Sequence, residues 1–113
     1  MTTTPAIANL EKLLGGPRDG ALLRYALGNE HLRAGDFAQA AVRLREAVER
    51  DAGYSAAWKL LGKALAEDGQ GREALAAYEQ GIAVAEARGD IQAAREMSVF
   101  ARRLRRQLPA AEH

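Results

Sequence analysis

The chain has 113 residues, of which 48% are hydrophobic, and a formal net charge of +1 at pH 7. This length supports one compact domain and excludes two independent cores, and the small net charge excludes a global field that would attract nucleic acid or anionic lipid. There is no cysteine, which excludes disulfides, thiolate metal sites and cysteine nucleophiles. With neither a basic leader nor an apolar run that approaches a membrane span, we expect a cytoplasmic protein.

A short helix is the first predicted element, and it runs from Pro5 to about Leu14. The Thr4 hydroxyl can cap its free amides, and the fixed φ of proline suits the first helical position. The Gly-Gly-Pro sequence at 15–17 ends this helix. Because the segment lies outside the repeat described below, we expect it to pack as an N-terminal cap.

A pair of helices is predicted next. The first helix of the pair opens at Asp19 or Gly20 and continues to about Ala34. Gly35 then ends it, and Asp36 caps the second helix of the pair.

The same order of events returns from Ser55, with a turn at Gly69 between the two helices. Asp90 then caps a last predicted helix over residues 91–108. Alanine-rich periodicity with spacings of three and four residues dominates throughout, and valine and isoleucine are too scattered for a sheet. The expected fold class is therefore all-α.

An internal repeat with an offset of 34 residues relates the two pairs. The Leu-Gly pair at 27–28 returns at 61–62, and Ala40 returns as Ala74. A period of this size is typical of stacked repeats, in which each helical unit buries its apolar face against its neighbour. The sequence therefore predicts an interaction scaffold.

The second unit has a specific pattern of residues. Trp58, the Leu-Gly pair at 61–62, Ala74 and Tyr78 resemble the tetratricopeptide repeat pattern W-x2-L-G-x2-Y followed by A-x3-F. The first unit is in phase but weaker, because Arg24 stands at the tryptophan position.

The resemblance implies a right-handed superhelical array of helix-turn-helix repeats with N-terminal and C-terminal capping helices. It indicates a small stand-alone bacterial tetratricopeptide protein, a group whose members are binding modules and adaptors. We divide the single domain, residues 1–113, into five parts. These are an N-terminal helix and connector (1–20), repeat 1 (21–54), repeat 2 (55–88), a capping helix (89–108) and a tail (109–113).

Two readings of the last helix stay open. Glu86 stands where the family usually has proline, so the preceding helix can continue to Gly89. The last helix lacks the repeat motif, and it is either the first helix of an incomplete third unit or only a cap with a polar outer face.

The resemblance also implies a ligand site, because the first helix of each pair lines a concave groove in this family. The corresponding residues here are Leu22, Tyr25, Asn29, Leu32, Arg33, Lys59 and Lys63. The two lysines lie one helical turn apart and fit an acidic or C-terminal peptide. A carboxylate clamp is only partly matched, because Tyr25 replaces one of its lysines and Leu60 one of its asparagines.

A secondary basic surface is predicted on the last helix, and it comprises Arg102, Arg103, Arg105 and Arg106. Such a cluster can bind phosphates with salt-dependent affinity. No aromatic platform or nucleic-acid motif accompanies it, so a solvated helix or one facing an acidic partner is favoured over nucleic-acid binding.

The residue pattern does not favour catalysis or metal binding. His31 and His113 are the only two histidines, too few for a metal cluster, and His31 fits a packing role at the tyrosine position of the repeat. Acidic residues occur at helix caps or four residues from an arginine, as Glu46 does with Arg50. We therefore expect no cofactor, no metal and no enzymatic activity.

The predicted function is that of a non-catalytic adaptor with a protein or peptide partner. A homo-oligomer that packs through its terminal helices is an alternative from a different class. Nucleic-acid binding through the arginine helix is a weaker alternative, and no membrane partner is expected.

Overall fold

The computed structural model describes residues 3–109, and this range contains six α-helices and no strand. The helices are α1 (Pro5–Glu11), α2 (Ala21–Arg33), α3 (Phe37–Arg50), α4 (Ser55–Glu67), α5 (Gly71–Ala87) and α6 (Ile91–Gln107). Residues 1–2 and 110–113, which include His113 and most of the predicted tail, lie outside the described residues. The all-α repeat architecture expected from the sequence is confirmed.

Three of the helices begin at the capping residues predicted from the sequence. The hydroxyl of Thr4 accepts a hydrogen bond from the Ile7 amide at 3.2 Å. The carboxylates of Asp36 and Asp90 each accept one from the amide three residues ahead, also at 3.2 Å. Each cap satisfies an amide that has no partner within its own helix, which fixes where the helix starts.

The first helix is shorter than predicted, since α1 ends at Glu11 and not near Leu14. Beyond Glu11 the hydrogen bonds tighten to a three-residue spacing, with the Leu13 amide bonded to the Leu10 carbonyl at 3.0 Å. Gly15 then has a φ of +79°, which a helix cannot continue through. The periodic leucines belong partly to this turn, and periodicity alone does not distinguish it from a helix.

The packing order of the helices is regular along the chain. Helix α4 packs on α3 and also touches α2, and α6 packs on α5 and touches α4 in the same way. Helices α2, α4 and α6 therefore form one layer, and α3 and α5 form the other. The last helix thus takes the place of the first helix of a third pair.

A longer α5 puts α6 out of phase with the 34-residue repeat. Helix α5 has 17 residues against 14 in α3, because it continues through Glu86 to Ala87. The offset between α4 and α6 consequently grows from 34 to 36 residues. At the new offset, the buried Met97 and Ala101 occupy the places that Leu61 and Leu65 have in α4.

Arg24 anchors the connector before α2 to α3. Its guanidinium donates to both carboxylate oxygens of Asp19 at 2.9 and 2.6 Å, and to Glu46 of α3 at 2.8 Å. Arg50, four residues after Glu46, donates to the backbone carbonyl of Glu46 and not to its carboxylate. The Glu46 carboxylate instead binds Arg24 and Arg43. In the first repeat, a network of ion pairs around Arg24 thus occupies the position that tryptophan has in the repeat motif.

Candidate functional site

The layer formed by α2, α4 and α6 carries two adjoining depressions. The larger one lies between α4 and α6 and has a volume of about 530 Å³. It is lined by Lys59, Leu60, Lys63, Ala66, Glu67, Tyr78, Phe100, Arg103, Leu104 and Gln107. The smaller one, of about 300 Å³, lies between α2 and α4 and is lined by Asn29, Leu32, Arg33, Phe37, Leu60, Lys63 and Glu67.

Three residues of α4 border both depressions, namely Leu60, Lys63 and Glu67. The two depressions therefore form one concave surface across three helices, which we call the groove. Five of the seven residues predicted for the ligand site line it: Asn29, Leu32, Arg33, Lys59 and Lys63.

The other two predicted residues, Leu22 and Tyr25, do not line either depression. The Leu22 side chain is 72% exposed. The Tyr25 ring stacks on Tyr54, with 4.9 Å between the ring centroids. Tyr25 therefore packs against the chain between α3 and α4, and this contact reduces the surface it can offer to a ligand.

An aromatic pair forms the apolar floor between α4 and α6. Tyr78 of α5 is only 3% exposed, and its ring stacks on Phe100 of α6 with 5.6 Å between the centroids. Burial, together with the nearby Glu67 carboxylate, raises the pKa of the Tyr78 hydroxyl to about 12. The floor therefore stays uncharged at neutral pH.

Four cations line the groove, and they differ in whether a carboxylate of the chain binds them. Lys59 is bound to Glu96 of α6, with 2.6 Å between Nζ and Oε1. Arg33 lies 3.7 Å from Glu30. Within residues 3–109, neither Lys63 nor Arg103 has a carboxylate within ion-pair distance.

Arg103 is the one member of the predicted basic surface that lines the groove. Its guanidinium carbon lies 5.9 Å from the centroid of the Phe100 ring, in the range of a cation–π contact. Arg105 instead pairs with Glu79 of α5 at 2.9 Å, and Arg102 lies beside Val99 on another face of α6. The four arginines thus do not form a single patch, because neighbouring positions on a helix are about 100° apart.

The α6 wall of the groove was not predicted from the sequence. The groove residues Phe100, Leu104 and Gln107, and the Glu96 partner of Lys59, belong to a helix without the repeat motif. The offset of 36 residues that relates Met97 to Leu61 was the available signal, because it places α6 in the same layer as α4.

Two features are absent from residues 3–109. No group of three or more histidine, cysteine, aspartate or glutamate side chains in this range could hold a metal ion. None of the helices in the same range has the length and hydropathy needed to span a membrane.

Residues 31–97 match the family model of the tetratricopeptide repeat. This match covers more than half of the chain, and the chain belongs to the tetratricopeptide repeat family. Proteins of this family are generally protein-interaction modules.

Relatives in three bacteria agree with this assignment. TPR repeat-containing protein PA0015 of Pseudomonas aeruginosa is 51% identical over 100 residues, which are 88% of this chain and 95% of that protein. The solution structure of protein BPP2914 from Bordetella parapertussis has a TM-score of 0.78 and 40% identity, and the match covers 93% of this chain and 91% of that one. A tetratricopeptide repeat domain protein from Salinibacter ruber has a TM-score of 0.73 and 30% identity, and the match covers 86% of this chain and 96% of that one.

Proposed function

We propose that this protein is a non-catalytic adaptor that binds a peptide segment of a partner protein in the groove. The segment carries a carboxylate next to a large apolar side chain. The observation that carries the proposal is that Lys63 and Arg103, two cations without a carboxylate partner in the described chain, line the same depression as the Phe100 ring.

Charge supports an acidic ligand. The lining of the groove contains Arg33, Lys59, Lys63 and Arg103 but a single carboxylate, Glu67. Hydrogen bonds between a cation and a carboxylate are roughly twice as strong as those between neutral groups, so a ligand carboxylate gains most beside an unpaired cation. The balance of charge also speeds the encounter with an acidic segment.

The shape of the groove supports an apolar contact beside that carboxylate. Leu60, Phe100 and Leu104 line a cavity of about 530 Å³, enough volume for one or two large side chains. So short an array offers a small interface, and we expect modest affinity.

The basic contact differs from the pair of lysines expected from the sequence. Lys59 is bound to Glu96, and Arg103 from α6 takes over as the second cation beside Lys63. The proposed contact thus bridges α4 and α6 and no longer lies on one helix.

Peptide display provides the test. A random peptide library is selected against the unaltered protein and against Lys63→Glu with Arg103→Glu. The matched control is Arg102→Glu with Arg106→Glu, which makes the same change in net charge on exposed positions of α6. We expect acidic-aromatic sequences from the unaltered and control proteins only. Recovery of the same sequences by the groove variant would contradict the proposal.

Self-association is a second candidate because α6 has an exposed apolar face. Ile91 and Val99 are 51% and 49% exposed and border the same shallow depression at the end of the helix layers. A molar mass that rises with protein concentration in analytical ultracentrifugation would support it, provided that the double variant Ile91→Asp with Val99→Asp keeps the monomer mass. A constant monomer mass would contradict it.

The cytoplasmic location expected from the sequence stays a prediction.

A further inference from the structure

One cation of the groove is already occupied by a carboxylate of the chain itself. Lys59 lines the depression between α4 and α6, and its Nζ lies 2.6 Å from Oε1 of Glu96, which is 37 positions away in the sequence. The two side chains are 37% and 43% exposed, so the pair lies at the rim of the groove and in reach of solvent. The hydrogen bond from Lys59 holds the pKa of the Glu96 carboxyl below its ordinary value, so Glu96 is charged at neutral pH.

This ion pair is not what holds α6 in place. The buried face of α6 consists of Ala94, Met97 and Ala101, which pack against Tyr78 and Ala85 of α5. Exposed ion pairs contribute little to stability, because both partners are well solvated when apart. The main consequence of the pair is therefore on the charge that the groove presents.

The spacing of the two lysines shows what the pair prevents. Lys59 and Lys63 are four residues apart on α4, about 6 Å along the helix axis. Alternate side chains of an extended peptide lie about 6.6 Å apart on one face, so two such carboxylates could reach both lysines. With Lys59 bound to Glu96, only the position at Lys63 is open.

We infer that Glu96 is a specificity-determining residue, which acts as an internal competitor at Lys59 and limits the groove to ligand segments with one carboxylate at this end. The inference rests on the proposed function, and it adds which acidic segments are accepted. Loss of the Glu96 charge frees Lys59 and creates a second anion position. A ligand with two alternating carboxylates then gains an ion pair that it cannot form with the unaltered protein.

The test uses two capped octapeptides made of serine and glycine with one phenylalanine. One carries a single glutamate, and the other carries two glutamates at alternate positions. Their affinities are measured by NMR titration of the full chain and of Glu96→Gln. The matched control is Glu79→Gln, because Glu79 forms an ion pair of similar exposure between α5 and α6, with Arg105, outside the groove.

We expect Glu96→Gln to bind the two-glutamate peptide about two- to fivefold more tightly than the unaltered protein does, the range that one exposed ion pair supplies. Affinity for the one-glutamate peptide stays the same, and Glu79→Gln changes neither. The gain disappears in Lys59→Gln with Glu96→Gln. The inference would be overturned if Glu96→Gln and the unaltered protein bound the two-glutamate peptide with equal affinity. It would also be overturned if the gain in affinity remained in Lys59→Gln with Glu96→Gln.

Failure of the proposed function gives a different result. In that case the unaltered protein binds neither peptide at the groove. Binding of the two-glutamate peptide by Glu96→Gln alone would then still support the competitor role, whereas binding by neither protein would overturn both. Equal thermal unfolding midpoints for Glu96→Gln and Glu79→Gln separate an effect on the groove from an effect on the fold.

Discussion

Gly62 of α4 lies directly against the ring of Tyr78 of α5. A Cβ atom at residue 62 would be 2.5 Å from Cε1 and 2.6 Å from Cζ of that ring, closer than two non-bonded carbon atoms can approach. The absence of a side chain at residue 62 therefore sets the distance between the two helices. It also sets the position of the Tyr78 ring, which is the floor of the groove.

Substitution Gly62→Ala is expected to destabilise the protein, although alanine favours a helix by about 1 kcal/mol. The ring is buried and stacked on Phe100, so an added methyl group must displace it from that contact, and overpacking of this kind costs about 1–3 kcal/mol. The free energy of unfolding in urea measures the net effect. Gly71→Ala is the control, because the added Cβ would meet only the tip of Leu108 at 3.2 Å, and we expect it to be near neutral. Equal stabilities for both variants would contradict the packing argument.

Substitution His31→Leu is expected to stabilise the protein by about 1 kcal/mol. His31 is buried, and both of its ring nitrogens have no hydrogen-bond partner within the described chain. An unsatisfied buried polar group costs about 1–3 kcal/mol, whereas an apolar group of similar size carries no such penalty. The second repeat has the buried Leu65 at this place. Chemical unfolding of His31→Leu and of the polar control His31→Asn checks this, and a gain in both or in neither would contradict it.

The Asp19 carboxylate makes stability depend on acid pH. Its hydrogen bonds from the Arg24 guanidinium and from the Gly15 amide hold its pKa well below the usual range. A depressed folded-state pKa gives stability that is present above the unfolded-state pKa of about 3.9 and is lost as the pH falls further. Asp19→Asn should therefore be less stable than the unaltered protein at pH 7, by a margin that shrinks below about pH 4. Urea unfolding between pH 7 and pH 2.5 measures the margin, with Asp68→Asn as control. A margin independent of pH would contradict the role of Asp19.

Loss of the Phe100 ring should weaken ligand binding more than it weakens the fold. Phe100 is 37% exposed, its ring stacks on Tyr78, and the Arg103 guanidinium lies beside it. We expect Phe100→Ala to lower the affinity for a selected peptide about tenfold, since a large aromatic contact is a common hot spot. Val99→Ala on the outer face is the control and should bind as the unaltered protein does. Equal losses of affinity in the two variants would place the ligand elsewhere.

Much of the fold follows from local signals in the sequence. Asp36 and Asp90 mark helix starts because a capping carboxylate acts on the amide three residues ahead, and both caps are present. The end of α1 was harder to predict, because Leu13 and Leu14 continue the apolar spacing into a turn. Local periodicity thus locates the helices better than it locates their ends.

The site was only half predictable because it joins elements that are distant in sequence. Lys63 and Asn29 lie on helices with the repeat motif, and their positions transfer directly from the family. Phe100 and Arg103 lie on α6, where the longer α5 shifts the register by two residues and the motif is missing. Ion pairs such as Lys59 with Glu96 depend on tertiary geometry, which the spacing of either residue does not reveal.

Amide chemical-shift mapping tests the central claim most directly. The isotope-labelled full chain is titrated with an acidic-aromatic peptide selected by display, and the shifts are plotted by residue. We predict that the largest changes cluster at Leu60, Lys63, Phe100 and Arg103 on the two walls of the groove. Changes centred on α3 and the outer face of α5, or on the end face at Ile91 and Val99, would contradict the assignment of the groove as the binding site.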